Sequence, residues 1–228
     1  MGSHAADGLR VGSYTVCTLT VRCITTMPIP NDTERLVLRR FAEGDLHDHL
    51  EYASDPQVAR YEYWEPYTLK RLTEEARQAQ DTVPGAEARW LELAVEIKAE
   101  RKVIGSVGIK VLSRQHRLGE VGWTLSRKYQ GRGYATEAGS AILRFGFEEL
   151  DLFWIISFCH VRNAPSYRLM ERLGMRRLAH FERSKLAKGE WWDEVVYSIT
   201  EPEWRLMSGA AGAGPEPPAP ADTEQLPG

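Results

Sequence analysis

Apolar and polar positions change period several times along the chain, and each change marks an element. Over Thr33–Arg40, Leu36 and Leu38 alternate with charged neighbours, which predicts a strand buried on one face. Glu43–Ser54 predicts a short helix, Asp55-Pro56 opens another, and Leu69–Gln80 is a polar helix. Leu91, Leu93 and Val95 alternate in a strand over Trp90–Ile97. Arg101-Lys102 reads as a hairpin turn into the next strand, Lys102–Val111, which holds Gly105 and Gly108. Gly119–Leu125 is a further strand, after which Ala138, Ala141, Ile142 and Phe145 recur at helical spacing in a helix ending near Leu150. Phe153–Val161 is a nearly continuous apolar run, as expected of a parallel strand covered on both faces. Pro165 lies early in a helix reaching Leu173, and Gly174 suits the position just past its end. Two last strands, Arg176–Glu182 and Trp191–Ile199, are joined through Lys188-Gly189, and Pro202–Met207 predicts a closing helical turn.

This order predicts an α+β fold, a mixed and mostly antiparallel sheet with a parallel pair at its centre and helices at its flanks. The domain is expected over residues 31–207. Residues 1–30 carry no clear periodicity and read as an extension ahead of a natural start at Met27, although the β-branched stretch Tyr14–Thr26 could add an edge strand. The Ala/Gly/Pro-rich residues 208–228 lack the apolar surface to order and are expected to be a disordered tail.

The turn between Leu125 and the following helix carries the most chemistry. It reads Gln130-Gly131-Arg132-Gly133-Tyr134-Ala135-Thr136-Glu137-Ala138. Its glycines permit positive φ and close backbone approach, and the N–H groups of the turn and the first helical turn converge. With the helix dipole they form an anion site that suits a phosphate or pyrophosphate. No Gly-Lys-Ser/Thr follows the glycines, so a P-loop is excluded, and Thr136 stands where a dinucleotide fingerprint needs its third glycine.

The pattern that remains is Gln-x-x-Gly-x-Ala, with Gln130, Gly133 and Ala135 as its fixed members. It resembles the acetyl-CoA pyrophosphate loop of the GNAT N-acetyltransferases. The longer run Tyr129–Ala138 and the opening Thr33-Glu34-Arg35-Leu36-Val37-Leu38-Arg39 are similar to the branch that acetylates ribosomal-protein alanine and serine N-termini and many small amines. The resemblance covers roughly Asp32 to Thr200. It implies a GNAT fold whose central parallel strands splay apart, acetyl-CoA as co-substrate without a metal, and direct acetyl transfer to a primary amine on a protein N-terminus or a small molecule such as an antibiotic. A homodimer is compatible with it. A non-catalytic module that senses acyl-CoA, or binds a protein, on the same scaffold is the alternative.

Carried over by motif, the resemblance implies that acetyl-CoA contacts Trp123, Thr124, Leu125, Gln130, Gly131, Arg132, Gly133, Tyr134, Ala135, Thr136, Asn163 and Ser166. Asn163 and Ser166 open a helix, where capping alone would also explain them. Ser166 is the implied proton donor to the leaving thiolate, with water as the alternative. Many members carry a Tyr seven residues after the Asn; here that position is Met170, which has no proton to give. Glu120 matches the Glu-x-Gly-aromatic pattern and is the candidate general base, since an amine with pKa ~8–10 arrives protonated. It could equally be a structural partner of Arg127 or Lys110. The loop acid that serves some relatives as base is Lys185 here, with Glu182 nearby. Asp193 is expected to fix loop backbone. His160, a lone histidine ending an apolar strand, is left outside the catalytic set. The segment Tyr61-Glu62-Tyr63-Trp64-Glu65-Pro66-Tyr67 packs four aromatics and two acids into seven residues. Tyr61, Glu62, Tyr63 and Trp64 would suit a cationic acceptor, or would pack the early helices onto the sheet.

Composition adds limits. With 228 residues, 43% of them hydrophobic and seven Trp, the chain can bury a substantial core. A net charge of −3 gives no electrostatic case for nucleic acid or an anionic membrane, and no apolar run nears the ~20 residues of a membrane span. Cys17, Cys23 and Cys159 lack metal-site spacing and suit a reducing cytoplasm.

Overall fold

The structure, a computed structural model, describes residue 29 and residues 32–79 and 84–209. The expected extension and natural start at Met27, and the tail beyond Gly209, therefore lie outside the described residues. Seven strands form one sheet: β1 (Leu36–Arg39), β2 (Trp90–Ile97), β3 (Lys102–Ser113), β4 (Leu118–Leu125), β5 (Trp154–His160), β6 (Arg176–Ala187) and β7 (Glu190–Thr200). Their spatial order is β1-β2-β3-β4-β5-β7-β6, antiparallel throughout except for β4 and β5. Between β1 and β2 lie α1 (Leu46–Ala53), entered through a 3₁₀ turn at Glu43–Asp45, then α2 (Pro56–Ala59) and α3 (Leu69–Ala79). The remaining helices are α4 (Tyr134–Glu148), α5 (Ala164–Arg172) and α6 (Glu201–Ser208).

The alternation read in the strands sorts residues onto the two faces of the sheet. Leu91, Leu93, Val95 and Ile97 point to the main core with Leu36, Leu38, Ile104, Val107 and Ile109. Helix α4 covers that face with Ile142, Leu143 and Phe145. It sits close: a Cβ added at Gly146 would lie 2.7 Å from Ile155 and 2.8 Å from Ile109. Ala94 and Val103 face the other way, toward Tyr52 and Ala53 of α1. On this second face β3 and β4 carry Ser106, Gly108, Gly122 and Thr124 in facing pairs, so little bulk fills the space over the middle of the sheet.

Two details depart from the sequence reading. Strand β6 runs to Ala187 instead of stopping at Glu182, because the turn into β7 needs only Lys188 and Gly189, both at positive φ (52° and 79°), the geometry a two-residue hairpin loop selects. Its register shifts between Phe181 and Lys185, where Arg183 has φ 49°, and Asp193 Oδ1 accepts the Arg183 N–H at 2.8 Å. That is the backbone-fixing role expected of Asp193. The β2–β3 turn lies over Lys98–Arg101, with Arg101 at φ 52°, and Lys102 already belongs to β3.

The parallel pair is short. β4 bonds to β3 as far as Leu125, but pairs with β5 only from Leu118 to Glu120. Just beyond, the buried Ser157 hydroxyl donates to the Val121 carbonyl at 2.9 Å, replacing a strand partner with a side chain as the strands part. Ser157→Ala leaves that carbonyl unpaired, and the expected loss is about 1–3 kcal/mol of unfolding free energy in urea titrations. Ile142→Ala, which opens a cavity under α4, is expected to cost more, about 2–5 kcal/mol.

Candidate active site

Where β4 leaves β5, two spaces open and meet. The larger, ≈ 900 Å³, is a groove that runs from the glycine turn past Trp123 and Thr124 to the start of α5. Gly131 (φ 76°) and Gly133 (φ 82°) shape the turn at angles that other residues adopt only with strain. Gly133 caps α4 without any side chain bonding the first helical N–H groups, which leaves these donors for a ligand. Arg60, Arg127, Arg168 and Arg172 also line the groove, so its charge chemistry fits phosphate.

The turn is clamped from a distance. Glu137, in the first turn of α4, accepts from Thr33 Oγ1 at 2.5 Å and from the Arg35 N–H and Nε at 2.7 Å each. Arg35 Nη1 in turn donates to the Arg132 carbonyl at 3.0 Å. Desolvation works against the ionised carboxylate, yet the bonds from Thr33 and Arg35 outweigh it and hold Glu137 below the usual carboxylate range. Gln130 Nε2 donates to the Leu125 carbonyl at 3.0 Å, which fastens the other end of the turn to β4.

The smaller space, ≈ 250 Å³, lies on the glycine-lined face of the sheet. Trp90 forms its wall over Gly108 and Gly122, with Lys110 Nζ 4.7 Å from the indole centroid. Tyr61, Glu62, Tyr63 and Trp64 roof it. The roof is pinned to the last hairpin: Tyr63 donates a short hydrogen bond to Glu194, and Lys188 Nζ donates to the Ala59 carbonyl at 2.6 Å. Tyr61 packs on His160, which packs edge-on against Trp192. His160 Nδ1 accepts the Arg162 N–H, and burial followed by Arg162 lowers its basicity, so it acts as a structural ring here. Lys185 Nζ lies 4.9 Å from the Tyr63 centroid, a cation over the roof.

The groove and the cavity share six residues: Tyr61, Glu62, Trp123, Thr124, Asn163 and Ser166. All six were candidates from sequence, so the structure brings them together at one junction, while Glu120, Tyr63 and Trp64 line the cavity alone. Asn163 caps α5, its Oδ1 accepting the Ser166 N–H at 3.4 Å, and Trp123 Nε1 donates to Ser166 Oγ at 3.3 Å. Cys159 lies beside Ser166, and burial pushes its thiol up to about 11. Leu125, Gln130, Gly131, Gly133, Tyr134, Ala135 and Thr136 line the groove. Arg132 is not brought there: its guanidinium turns over the Tyr129 ring, 5.6 Å from the centroid. Met170 is fully buried in the core.

A model of the acetyltransferase (GNAT) domain matches residues 35–176. The chain belongs to the GNAT acetyltransferase family. A GNAT relative, an uncharacterized N-acetyltransferase of Bacillus subtilis named YnaD, is 37% identical over 172 residues, 75% of this chain and 97% of the relative. A solved GNAT acetyltransferase from Bacillus anthracis superposes with TM-score 0.68 at 34% identity, over 75% of this chain and 98% of that one. The ribosomal protein uS5-alanine N-acetyltransferase of Escherichia coli is 26% identical over 106 residues, 46% of this chain and 55% of the relative. The parallel β4–β5 pair that parts after Glu120 is the strand arrangement the family resemblance implied.

Glu120 sits opposite Lys110 in the β3–β4 register, with Oε2 2.7 Å from Nζ, which is the ion-pair geometry weighed against its role as a base. It lines the cavity but not the groove. Trp90, Glu92 and the groove arginines were not singled out from sequence, although the alternation that buries Leu91 and Leu93 already turns Trp90 and Glu92 to the opposite face. Glu62 is a strongly perturbed carboxyl of the site. Burial first, and then the charge of Glu92, push it up to about 7, against the opposing effects of Thr124 and Lys188. Below its ordinary 4.5 the carboxyl is protonated in both folded and unfolded chains; between 4.5 and about 7 only the unfolded chain ionises, so stability is lost as pH rises. Glu62→Gln is therefore expected to melt above the wild type at pH 8, with the gap closing toward pH 5 in parallel thermal melts.

Proposed function

We propose that this acetyltransferase moves an acetyl group from acetyl-CoA directly to a primary amine, on a protein N-terminus or a small molecule. The observation that carries the reading is the junction, where a groove suited to a phosphate-bearing ligand meets a carboxylate-lined cavity at six shared residues. The fit of acetyl-CoA is supported by the donor set. The uncapped N–H groups of α4, the glycines at positive φ and the groove arginines would take its phosphates. The edge of β4 that lacks a β5 partner would take its pantetheine arm, and one of its N–H groups would face the thioester oxygen as a preorganised donor.

The cavity would take the amine. Glu62, Glu92 and Glu120 line it, Glu120 paired with Lys110, and the faces of Tyr61, Tyr63 and Trp64 suit an ammonium. Ser166, or a water beside it, would return a proton to the sulfur. Direct transfer rather than an acyl-cysteine is favoured because Cys159, the one cysteine at the site among the described residues, holds its thiol proton at neutral pH. A non-catalytic acyl-CoA sensor is the second reading, and Met170, buried where many members carry a Tyr, is the observation in its favour.

Release of free thiol from acetyl-CoA tests this across N-terminal peptides, polyamines, aromatic amines and aminoglycosides. Turnover with one class is expected and names the acceptor. Tight acetyl-CoA binding in calorimetry with no thiol released would select the sensor, and no binding would remove both readings. Glu137→Ala, which frees the glycine turn from Thr33 and Arg35, is expected to weaken acetyl-CoA binding about tenfold, an amount equal to ~1.4 kcal/mol.

A further inference from the structure

The cavity offers three carboxylates to an incoming ammonium, and they are not equivalent. Glu120 already holds Lys110 at 2.7 Å, and Lys110 is itself stacked on Trp90. An incoming ammonium would have to share or displace that cation to reach the Glu120 carboxylate. Glu92 lines only the cavity, whereas the acetyl group on the reading above must lie where cavity and groove meet. Among the six residues at that junction, Glu62 is the only one with a carboxylate.

Its placement is fixed. The Glu62 N–H donates to the Ala59 carbonyl at 3.0 Å, and the same carbonyl is held by Lys188 from the β6–β7 turn. The carboxylate reaches Thr124 Oγ1, at a long 3.5 Å, on the part of β4 that has left β5. Resting on the acetyl-transfer reading, we infer that Glu62 is the catalytic base, which takes the proton from the bound ammonium at the mouth of the cavity. Glu120 and Lys110 then orient the amine rather than deprotonate it.

The proton balance is complete. R–NH₃⁺ gives one proton to the Glu62 carboxylate, and the freed nitrogen pair forms the N–C bond to the thioester carbon. The C–S bond breaks as the tetrahedral species collapses, and the nitrogen's second proton goes by way of Ser166 or water to the thiolate. Glu62 then passes its proton to solvent. An ordinary carboxyl near ~4.3 would face an ammonium near ~8–10 across a wide gap. A carboxyl raised to about 7 by burial and by Glu92 narrows that gap while remaining substantially ionised at neutral pH. The charged and titratable groups around it are Glu92 on β2, Lys188 in the β6–β7 turn, and Tyr63 and Cys159, whose own protons are held more tightly in part through the Glu62 charge.

The experiment uses the full chain and whichever amine of the panel the wild type acetylates, and follows kcat and KM from pH 5.5 to 9 with acetyl-CoA affinity from calorimetry. Wild-type kcat/KM is expected to fall as pH drops below about 7. Glu62→Gln is expected to lower kcat about 10²–10⁴-fold, the range of a general base, to abolish that limb and to leave acetyl-CoA affinity intact. Glu120→Gln is expected to act mainly on the KM of the amine and to keep the limb. A Glu62→Gln enzyme within a few-fold of wild type in kcat, or one that keeps the limb while Glu120→Gln loses it, overturns the assignment and leaves acetyl transfer standing. A wild type that releases no thiol with any amine overturns the transfer reading itself and this inference with it.

Discussion

Once β4 stops pairing with β5 after Glu120, the backbone groups on that side of β4 need other partners, since buried N–H and C=O groups are costly to leave unpaired. Ser157 provides one by capping the Val121 carbonyl, and the strands then diverge. The open wedge determines the rest of the site. It leaves a strip of unpaired strand backbone, it ends at the glycine turn and the N-terminus of α4, and it is closed on its far side by the start of α5. A continuous sheet would have neither groove nor junction, whatever residues it carried.

A wedge cut into a sheet weakens it, and the chain offsets this with restraints from distant segments. Thr33 and Arg35, just ahead of and at the entry to β1, hold Glu137 and the Arg132 carbonyl, so the start of the domain braces the glycine turn roughly one hundred residues later in the sequence. Gln130 braces the same turn from within. On the other side, Lys188 in the last hairpin holds the carbonyl of Ala59, Tyr63 holds Glu194, and the Tyr67 N–H donates to the Ala53 carbonyl, so the irregular Tyr61–Tyr67 roof is fixed at both ends. Loops without periodic hydrogen bonding are otherwise the mobile parts of a fold.

Much of this was legible in the sequence because it rests on local rules. The period of the apolar residues places every strand and helix within a few positions. The glycine turn stands out because positive φ and close backbone approach demand glycine. Asp193 and Asn163 do what turn and cap chemistry requires of them. What was not legible depends on register and on burial. That Glu120 meets Lys110 follows only from the β3–β4 pairing, and sequence left that partner open between Arg127 and Lys110. The role of Glu62 depends on how far it is removed from water and on Glu92 across the cavity, and neither is written in its neighbours. The outward turn of Arg132 likewise follows from the Tyr129 ring and the pull of Arg35 on its carbonyl.

The charges of the site show why its two spaces need to be separate. A single open cleft holding both groove arginines and cavity glutamates would let them pair with one another, and each set would then be less available to a ligand. Here Trp123, Thr124, Asn163 and Ser166 stand between them, uncharged and partly buried. The arginines remain on the side where the glycine turn gathers backbone donors, and the glutamates remain under Trp90 and the roof. The neutral partition keeps the two fields from cancelling. Glu62 is the one charged residue that lines both spaces. That position is also what makes it costly to ionise, since burial and the charge of Glu92 oppose its ionised form, and the same effects that raise its proton affinity destabilise the folded chain above neutral pH.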